Sequence, residues 1–515
     1  MWSRDQSFYF FLSIFLFFIF LLKSWITIRN PRKNLPPSPL KLPIIGNLHQ
    51  LGILPHRTLR SLALRHGPLM LLHFGSNPVL VVSSGDAAQE IMKTNDLSFS
   101  NRPKSPIRSK LMYDCKDVVF APYGEYWRQI RSICVLELLC SKRVQSFRAV
   151  REEETSLLME KIMGSFCSVS PSVVINLSEM LAEHINNVVC REVLGRKYNG
   201  GGGSGAGGGR KFKEILMEFM ELLGGFNVGD YVPWMRWLGH LNGLYGRADK
   251  VAKEIDTFLE LVIQEHVEER ERNDGDKVTC ESRRDFVDVL LQIQRDEVAG
   301  FSLHKDTVKA LIMDMFIGGV DTTYASLEWT MAELLKDPKS MKRLQNEVRE
   351  IGRGKQAIIE DDLKKMPYLQ AIIKEIMRLH PAIPLIHRES TQNVKVMGYD
   401  ITASTQVVIN TWAIGRDPLV WDEPEDFKPE RFLHSSIEFK GHHFELIPFG
   451  AGRRSCPGAQ FSLAVLQLAL ANLMLMFDFA LPARERVEEL DMSEAAGSII
   501  CKKLPLLAVV TMCSC

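Results

Sequence analysis

The 515-residue sequence predicts a mainly α-helical protein with a small β part, on two observations. Apolar residues recur at helical spacing over 125–150, 210–225, 246–272, 306–336, 339–352 and 367–379. Short apolar runs broken by turn residues fall in three places. "LMLLHFGSNPVLVVS", from Leu69 to Ser83, reads as a hairpin about Gly-Ser-Asn-Pro. A strand pair is expected at Val394 to Asn410 around Gly398, and a last strand near Leu504 to Thr511.

Composition narrows the function classes. With 63 basic and 62 acidic side chains mixed throughout, the net charge is +1, and nothing suggests nucleic acid. The ten cysteines form no C-x-x-C pair, which argues against a disulfide framework or a zinc knuckle. Phe8 to Leu22, "FYFFLSIFLFFIFLL", continues through "SWITI" to Ile28 and reaches the ~20 residues of a membrane span if Lys23 snorkels. Lys23, Arg29, Arg32 and Lys33 follow it, which places the bulk of the chain in the cytosol. A cleaved signal peptide would want positive charge before the run and small residues at a cleavage site.

The expected organisation is therefore an anchor at 1–30, a proline-rich hinge at 31–45 and one globular domain at 46–515. The "GGGGSGAGGG" of 200–209 reads as a flexible loop between helices, and Glu152 to Glu154 as a solvated helix face.

One short stretch stands apart from this helical frame: "PFGAGRRSCPG", Pro448 to Gly458. Gly450, Gly452 and Gly458 allow sharp turns and close approach of a bulky group, while Pro457 limits the next step. N–H groups aimed at the Cys456 sulfur, with Arg453 and Arg454 nearby, would favour the thiolate. The run that follows, "AQFSLAVLQLALANLMLMF", reads as a buried helix whose N-terminus also favours an anion. Such a thiolate serves covalent nucleophilic catalysis or ligation of a soft metal or haem iron. A nucleophile needs a base, and His184 or His380 could reach the loop only through the fold.

Asp306 to Pro338 reads as one helix of about 30 residues with Gly318 and Gly319 at its middle, each costing about 1 kcal/mol against alanine. Either the glycines open a gap beside a ligand, or they mark a tight helix crossing with a threonine bonded back to the previous turn. Asp321 and Thr322 follow, and an acid beside a hydroxyl suits proton delivery into an apolar pocket. Glu375 and Arg378 lie three apart on one helix face, and Arg431 in "FKPERF" could clamp loop to helix. Trp127 and Arg131, one turn apart in "EYWRQIRS", could hold a carboxylate or cap a core.

Taken in order, these motifs resemble the cytochrome P450 family of haem-thiolate monooxygenases over essentially the whole chain. "FGAGRRSCPG" is similar to its haem loop, matched at Phe449, Gly452, Arg454, Cys456 and Gly458; "GGVDTT", "EIMR" and "FKPERF" are similar to its oxygen-activation, E-x-x-R and PERF segments. "LPIIGNLHQLG" and "FAPYGEYWRQIRSICVLELLCSKRVQSF" look like the plant A-type clan near its seventy-one family.

The resemblance implies a fold with haem b between a long central helix and the cysteine loop. It implies Cys456 as axial thiolate, Asp321 and Thr322 in proton delivery, and Trp127, Arg131, Arg388 and Arg454 at the propionates. Glu375, Arg378 and Arg431 would be structural. Val118, Val119, Phe120, Met315, Gly318, Ala382, Ile383, Leu385 and Ile499 would line an apolar pocket. The implied partners are NADPH-cytochrome P450 reductase, dioxygen, a lipophilic substrate of terpenoid, alkaloid or phenolic type, and the endoplasmic reticulum membrane, with a single-pass anchor and a cytosolic catalytic domain. Six residues, "AIPLIH", separate Pro381 from Arg388 where about seven are expected of relatives, so the pocket there has its own shape. A haem-thiolate isomerase or dehydratase is the alternative, and Asp321 with Thr322 speaks against it; a non-catalytic haem carrier would want a second protein ligand near 314–323.

Overall fold

The computed structural model describes residues 9, 11–19, 34–166, 172–198, 208–225, 227–273, 284–296, 303–482 and 486–513. The predicted hairpin forms as β1 (Leu69–Phe74) and β2 (Asn77–Val82), antiparallel with Leu69 opposite Val82. β3 (Ser172–Asn176) belongs to a second sheet, described below. The first sheet is completed by β4 (Leu385–Glu389) and β7 (Gln406–Asn410), in the order β1-β2-β7-β4, with β7 parallel to β2. Alternation sorts its side chains: Leu80 and Val82 face one core cluster, Val79 and Val81 another.

The region around Gly398 thus divides in two. β5 (Val394–Val396) and β6 (Tyr399–Ile401) form the expected hairpin, whereas β7 leaves it for the larger sheet. In the second sheet, β9 (Leu507–Met512) lies between β3 and β8 (Phe477–Ala480), tying the C-terminal segment to the middle of the chain.

Helices make up the main core. Those that position the site are α1 (Glu125–Ile133), α2 (Arg148–Met163), α3 (Leu177–Leu194), α4 (Leu244–Asn273), α5 (Phe286–Asp296), α6 (Lys305–Gly319), α7 (Asp321–Lys336), α8 (Pro367–Leu379) and α9 (Ala459–Met476). α9 is apolar all round and long enough to cross a membrane, but most of it is buried among the other helices, as a core helix must be. Of the expected N-terminal anchor, residues 11–19 are helical with Phe11, Phe15 and Phe18 exposed; most of the remainder of 1–30 lies outside the described residues.

Three expectations change. The proline segment is no free spacer: the Pro37 carbonyl accepts from Leu71 N at 2.9 Å, and Asn34 N donates to Asp400 Oδ2 at 3.0 Å. The acidic run is a solvated face only in part: Glu153 is exposed, but Glu154 is buried and pairs with Arg191 at 2.7 Å and Lys197 at 2.8 Å. The 125–150 segment is interrupted by a wide turn at Cys134–Leu138. Of the glycine-rich stretch, 200–207 lies outside the described residues, and Gly208 opens a helix.

α4 and α5 are joined by a buried pair, His266 Nε2 to Asp285 Oδ2 at 2.9 Å, with His266 Nδ1 on the Val262 carbonyl at 2.7 Å. Burial disfavours the charged imidazole, but the Asp285 bond and charge outweigh it and raise its pKa to about 9. A folded value above the ordinary ~6.5 means that the stabilisation is complete below pH 6.5 and is lost as pH rises towards 9. His266→Gln should therefore lower the Tm at pH 6 and leave it close to wild type at pH 9.5, as read by thermal unfolding at both pH values.

Candidate active site

The cysteine loop is shaped by two left-handed glycines. Gly450 has φ +67° and Gly452 φ +69°, and a Cβ on Gly452 would stand 2.2 Å from the Met92 carbonyl oxygen. Cys456 N donates to the Phe449 carbonyl at 2.9 Å, closing the loop, and α9 starts three residues later. Phe449 packs edge-on against Phe439, ring centroids 5.8 Å apart.

Cys456 keeps accessible surface, yet enough of the chain lies around it for burial to dominate its titration. Burial raises its thiol pKa; the Gly458 N–H, the Arg131 charge and the Ala459 N–H pull the other way without cancelling it. The expected charge source needs correcting. Arg453 turns away to Asp96, at 3.5 Å, and Arg454 spans backbone carbonyls, so Arg131 from α1 is the cation that acts on the sulfur.

The expected 306–336 helix is two helices, broken at Val320 (ψ −75°). Val320 N still reaches the Phe316 carbonyl at 3.2 Å, and the Thr322 hydroxyl donates to the Gly318 carbonyl at 2.5 Å. The two glycines differ in their surroundings. A Cβ on Gly318 would meet open space, whereas one on Gly319 would press on Val189 at 3.3 Å, where α6 crosses α3. Thr323 shares a hydrogen bond with Ser462 at 3.0 Å, joining α7 to the first turn of α9 behind the loop. Asp321 is half-buried, and burial raises its carboxyl pKa.

On the other side of Cys456, guanidiniums gather. Arg454 donates to the carbonyls of Ser100 (2.9 Å), Val118 (3.2 Å) and Ala121 (2.5 Å) and stacks 4.2 Å from the Trp127 ring. Trp127 Nε1 takes the same Val118 carbonyl at 3.0 Å, and Arg131 donates to Ser455 O at 2.6 Å. Arg388 is fully enclosed on β4 with one long bond, 3.3 Å to its neighbour's carbonyl, and its buried Nη2 has no partner. Burial first, then the charges of Arg102 and Arg454, push the Arg388 pKa well below its ordinary value. Burial likewise brings Arg454 down to about 9 and Arg102 to about 10. Their nearest carboxylates, Asp96 and Asp117, do not match four cations. An orphaned buried donor inside such a cluster fits a bound dianion such as the propionate edge of a haem.

A rigid clamp supports the loop. Glu375 binds Arg378 in bidentate fashion at 2.7 and 2.8 Å and also accepts from Lys428 N (2.7 Å) and Arg431 Nε (3.1 Å). Arg378 reaches the carbonyls of Gly415, Pro424 and Asp426, and its guanidinium lies 5.3 Å from the Trp421 ring. Trp421 also packs with Phe432 and Leu446 on the chain leading to the loop.

Of the residues expected at the pocket, Val118, Phe120, Met315, Ala382 and Ile499 lie in or against the main apolar cluster, whereas Leu385 packs against another. Ile500 N donates to the Ala382 carbonyl at 2.9 Å, which joins the last two segments; Ile383 is 42% exposed. His184 and His380 are buried elsewhere, His380 on Glu333 at 2.8 Å, and neither perturbs Cys456. Among the described residues no cluster of His, Cys, Asp and Glu could hold a metal ion. Sequence reasoning missed Asp117, Asp314 and Arg102. Asp314, an acid inside the apolar run "LIMDMF", was the one with a visible signal.

The comparisons agree with this geometry. The profile of the family described as Cytochrome P450 matches residues 36–508. The chain is 55% identical to "Cytochrome P450 736A117" of Prunus mume, over 97% of this chain and 94% of that one. It is 51% identical to (+)-menthofuran synthase of Mentha piperita, over 94% of each. A solved zebra fish cytochrome P450 with progesterone is similar at TM-score 0.73 and 26% identity, covering 89% of this chain and 99% of that one. The chain belongs to the cytochrome P450 family. It has the P450 fold and is a P450 monooxygenase whose cofactor is haem b.

Glu375→Ala should leave Arg378 and Arg431 buried without their carboxylate and cost about 3–5 kcal/mol. The expected result is loss of most folded protein, with Glu375→Gln intermediate, measured by soluble yield and Tm.

Proposed function

We propose that this chain is an NADPH- and O2-dependent monooxygenase that oxidises a lipophilic small molecule, with Cys456 as the axial ligand of its haem. The observation that carries this reading is an accessible cysteine sulfur within the field of Arg131, itself part of a guanidinium cluster in which buried Arg388 has an unpartnered Nη2. Arg388, Arg454, Arg131 and Trp127 would hold the propionates, and Phe449 would pack beside the sulfur. When bound, haem supplies the activation of dioxygen and the transfer of one oxygen atom to a C–H or C=C bond.

The chain's own residues supply the rest. Gly318 leaves room above the cofactor, and the Thr322 hydroxyl, anchored on the Gly318 carbonyl, keeps its oxygen lone pairs available. Asp321 holds its proton more readily than an exposed carboxyl does, which suits an acid that passes protons inward through Thr322. That acid–hydroxyl pair favours a monooxygenase over a peroxide isomerase or a passive carrier. The glutamate clamp keeps loop and helix in register while substrate exchanges.

The apolar lining by Phe120, Met315, Ala382 and Ile499 gains about 25 cal/mol per Å² of apolar surface taken from water and offers a buried charge no partner. The relative named for (+)-menthofuran supports the same substrate class, terpenoid or alkaloid first and phenolic second. Electrons would come from NADPH-cytochrome P450 reductase. The 1–30 anchor would place a single catalytic domain on the cytosolic face of the endoplasmic reticulum membrane. Exposed Leu40, Ile44 and Ile53 support membrane contact, as do Trp234, Trp237 and Leu241, because the two segments meet where Gly75 N binds Ile45 O and Ser76 N binds Tyr231 O.

Reduced protein under carbon monoxide should show the red-shifted Soret band of thiolate-ligated haem, and Cys456→Ala should lose it. A Cys456→Ala protein that keeps the band would overturn the ligand assignment. Microsomes carrying the chain and a reductase, supplied with apolar terpenoids and alkaloids, should yield products heavier by one oxygen atom.

A further inference from the structure

The 118–120 segment is held against the central helix by two carboxyl groups that face each other inside the protein. Asp117 sits on the loop and Asp314 on α6, and both are buried. Val118 N donates to Asp314 Oδ2 at 2.7 Å, and Phe120 N donates to Asp117 Oδ2 at 2.6 Å. Each acid's other oxygen, Oδ1, is also buried, and neither has a partner. Two facing carboxylates in such a place do not both ionise, and one proton between them would satisfy both orphaned oxygens. Burial and, for Asp314, the Asp117 charge raise the two pKa values, Asp117 to about 6 and Asp314 further, against the pull of the loop N–H groups and Arg454.

The other titratable and charged groups around the pair are Arg102 and Arg454 on the guanidinium side, Cys115 on the loop, and Tyr126 and Cys134 on and just after α1. Tyr126 is committed elsewhere, donating to the Lys116 carbonyl at 2.8 Å and meeting Thr307 at 3.0 Å.

What the pair fixes is the Val118 peptide. Its N–H lies on Asp314 while its carbonyl takes both Trp127 Nε1 and Arg454 Nη1, so one peptide links α6, α1 and the cysteine loop. The chain enters this peptide under strain. Tyr113, Asp114 and Cys115 are three consecutive non-glycine residues in the left-handed region, at φ 51°, 58° and 57°. They are pinned by Tyr113 on Asp256 (3.0 Å), Ser109 on Asp114 (2.8 Å) and Lys116 on Asp306 (2.6 Å). Such a turn persists only while its surroundings hold it, and the acid pair is the hold nearest the pocket.

We propose that Asp314, sharing one proton with Asp117, is a positioning residue that sets the Val118–Phe120 wall against bulky apolar ligands. The proposal rests on the pocket assignment above. Loss of the shared proton at alkaline pH leaves two facing anions and drives the loop from the helix. Bulky ligands then lose contact while the iron site is untouched.

Two azole probes separate these effects in the haem-loaded full-length protein, because both bind the iron through nitrogen but only clotrimazole is large enough to reach the wall. Asp314→Ala should keep the carbon monoxide band and imidazole affinity while weakening clotrimazole about tenfold. Asp314→Asn, whose amide accepts from Val118 N–H and donates to Asp117, should bind clotrimazole within roughly threefold of wild type and lack the wild-type loss of affinity on the alkaline side. Wild-type clotrimazole binding by Asp314→Ala would overturn the proposal, as would an Asn variant as weak as the Ala variant. Should Asp314→Ala fail to hold haem, the pH series on Asp314→Asn decides: a wild-type alkaline loss refutes the shared proton, and its disappearance supports it. Failure of wild type to bind imidazole would instead refute the haem-site reading.

Discussion

Four guanidiniums, those of buried Arg388 and Arg454 and half-buried Arg102 and Arg131, share one region with too few carboxylates to neutralise them. Charge left this way costs several kcal/mol per ion unless a counter-charge arrives. The fold holds the cluster in place with backbone carbonyls: Ser100, Val118 and Ala121 for Arg454, Val119 for Arg102, Ser455 for Arg131. Carbonyls orient a guanidinium but cannot discharge it. The outstanding charge would suit a flat apolar cofactor with an anionic edge, as haem is.

The elements around that space follow from the same requirement. A cofactor held by its edge would also be held by its iron, and the cysteine loop could present sulfur because Gly450 and Gly452 take left-handed backbone angles that disfavour side chains. The loop keeps its place because Glu375, itself fully buried, gathers Arg378, Arg431 and the Lys428 N–H at one carboxylate. Opposite, α6 and α7 part at Val320, and the Thr323–Ser462 bond keeps the broken helix fastened to α9.

Much of this was legible because it is local. The glycines and proline about Cys456, the spacing of Glu375 and Arg378, and Gly318 with Asp321 and Thr322 each announce their geometry within a few residues, and in chain order they define the family. What was hidden depends on distant pairing. Nothing near Arg453 tells that it turns to Asp96 while Arg131, over 300 residues away in sequence, supplies the charge at sulfur. β4 has no local signal because its pairing partner β7 lies beyond an intervening hairpin. Glu154 looked solvated until α3 brought Arg191 over it. Asp314 looked misplaced in an apolar helix, and only the folded loop reveals the facing Asp117.

The central claim is that the buried guanidiniums exist to hold the two carboxylates of haem, and esterified haem tests it most directly. Protein made in cells starved of haem can be loaded either with haem or with its dimethyl ester, which has the same ring and iron but no negative edge. Comparing the two affinities by Soret titration should show the ester bound at least about a hundredfold more weakly, with Arg388→Met narrowing the gap. Equal affinity for the two would mean that the cluster serves some other anion, and would contradict the account.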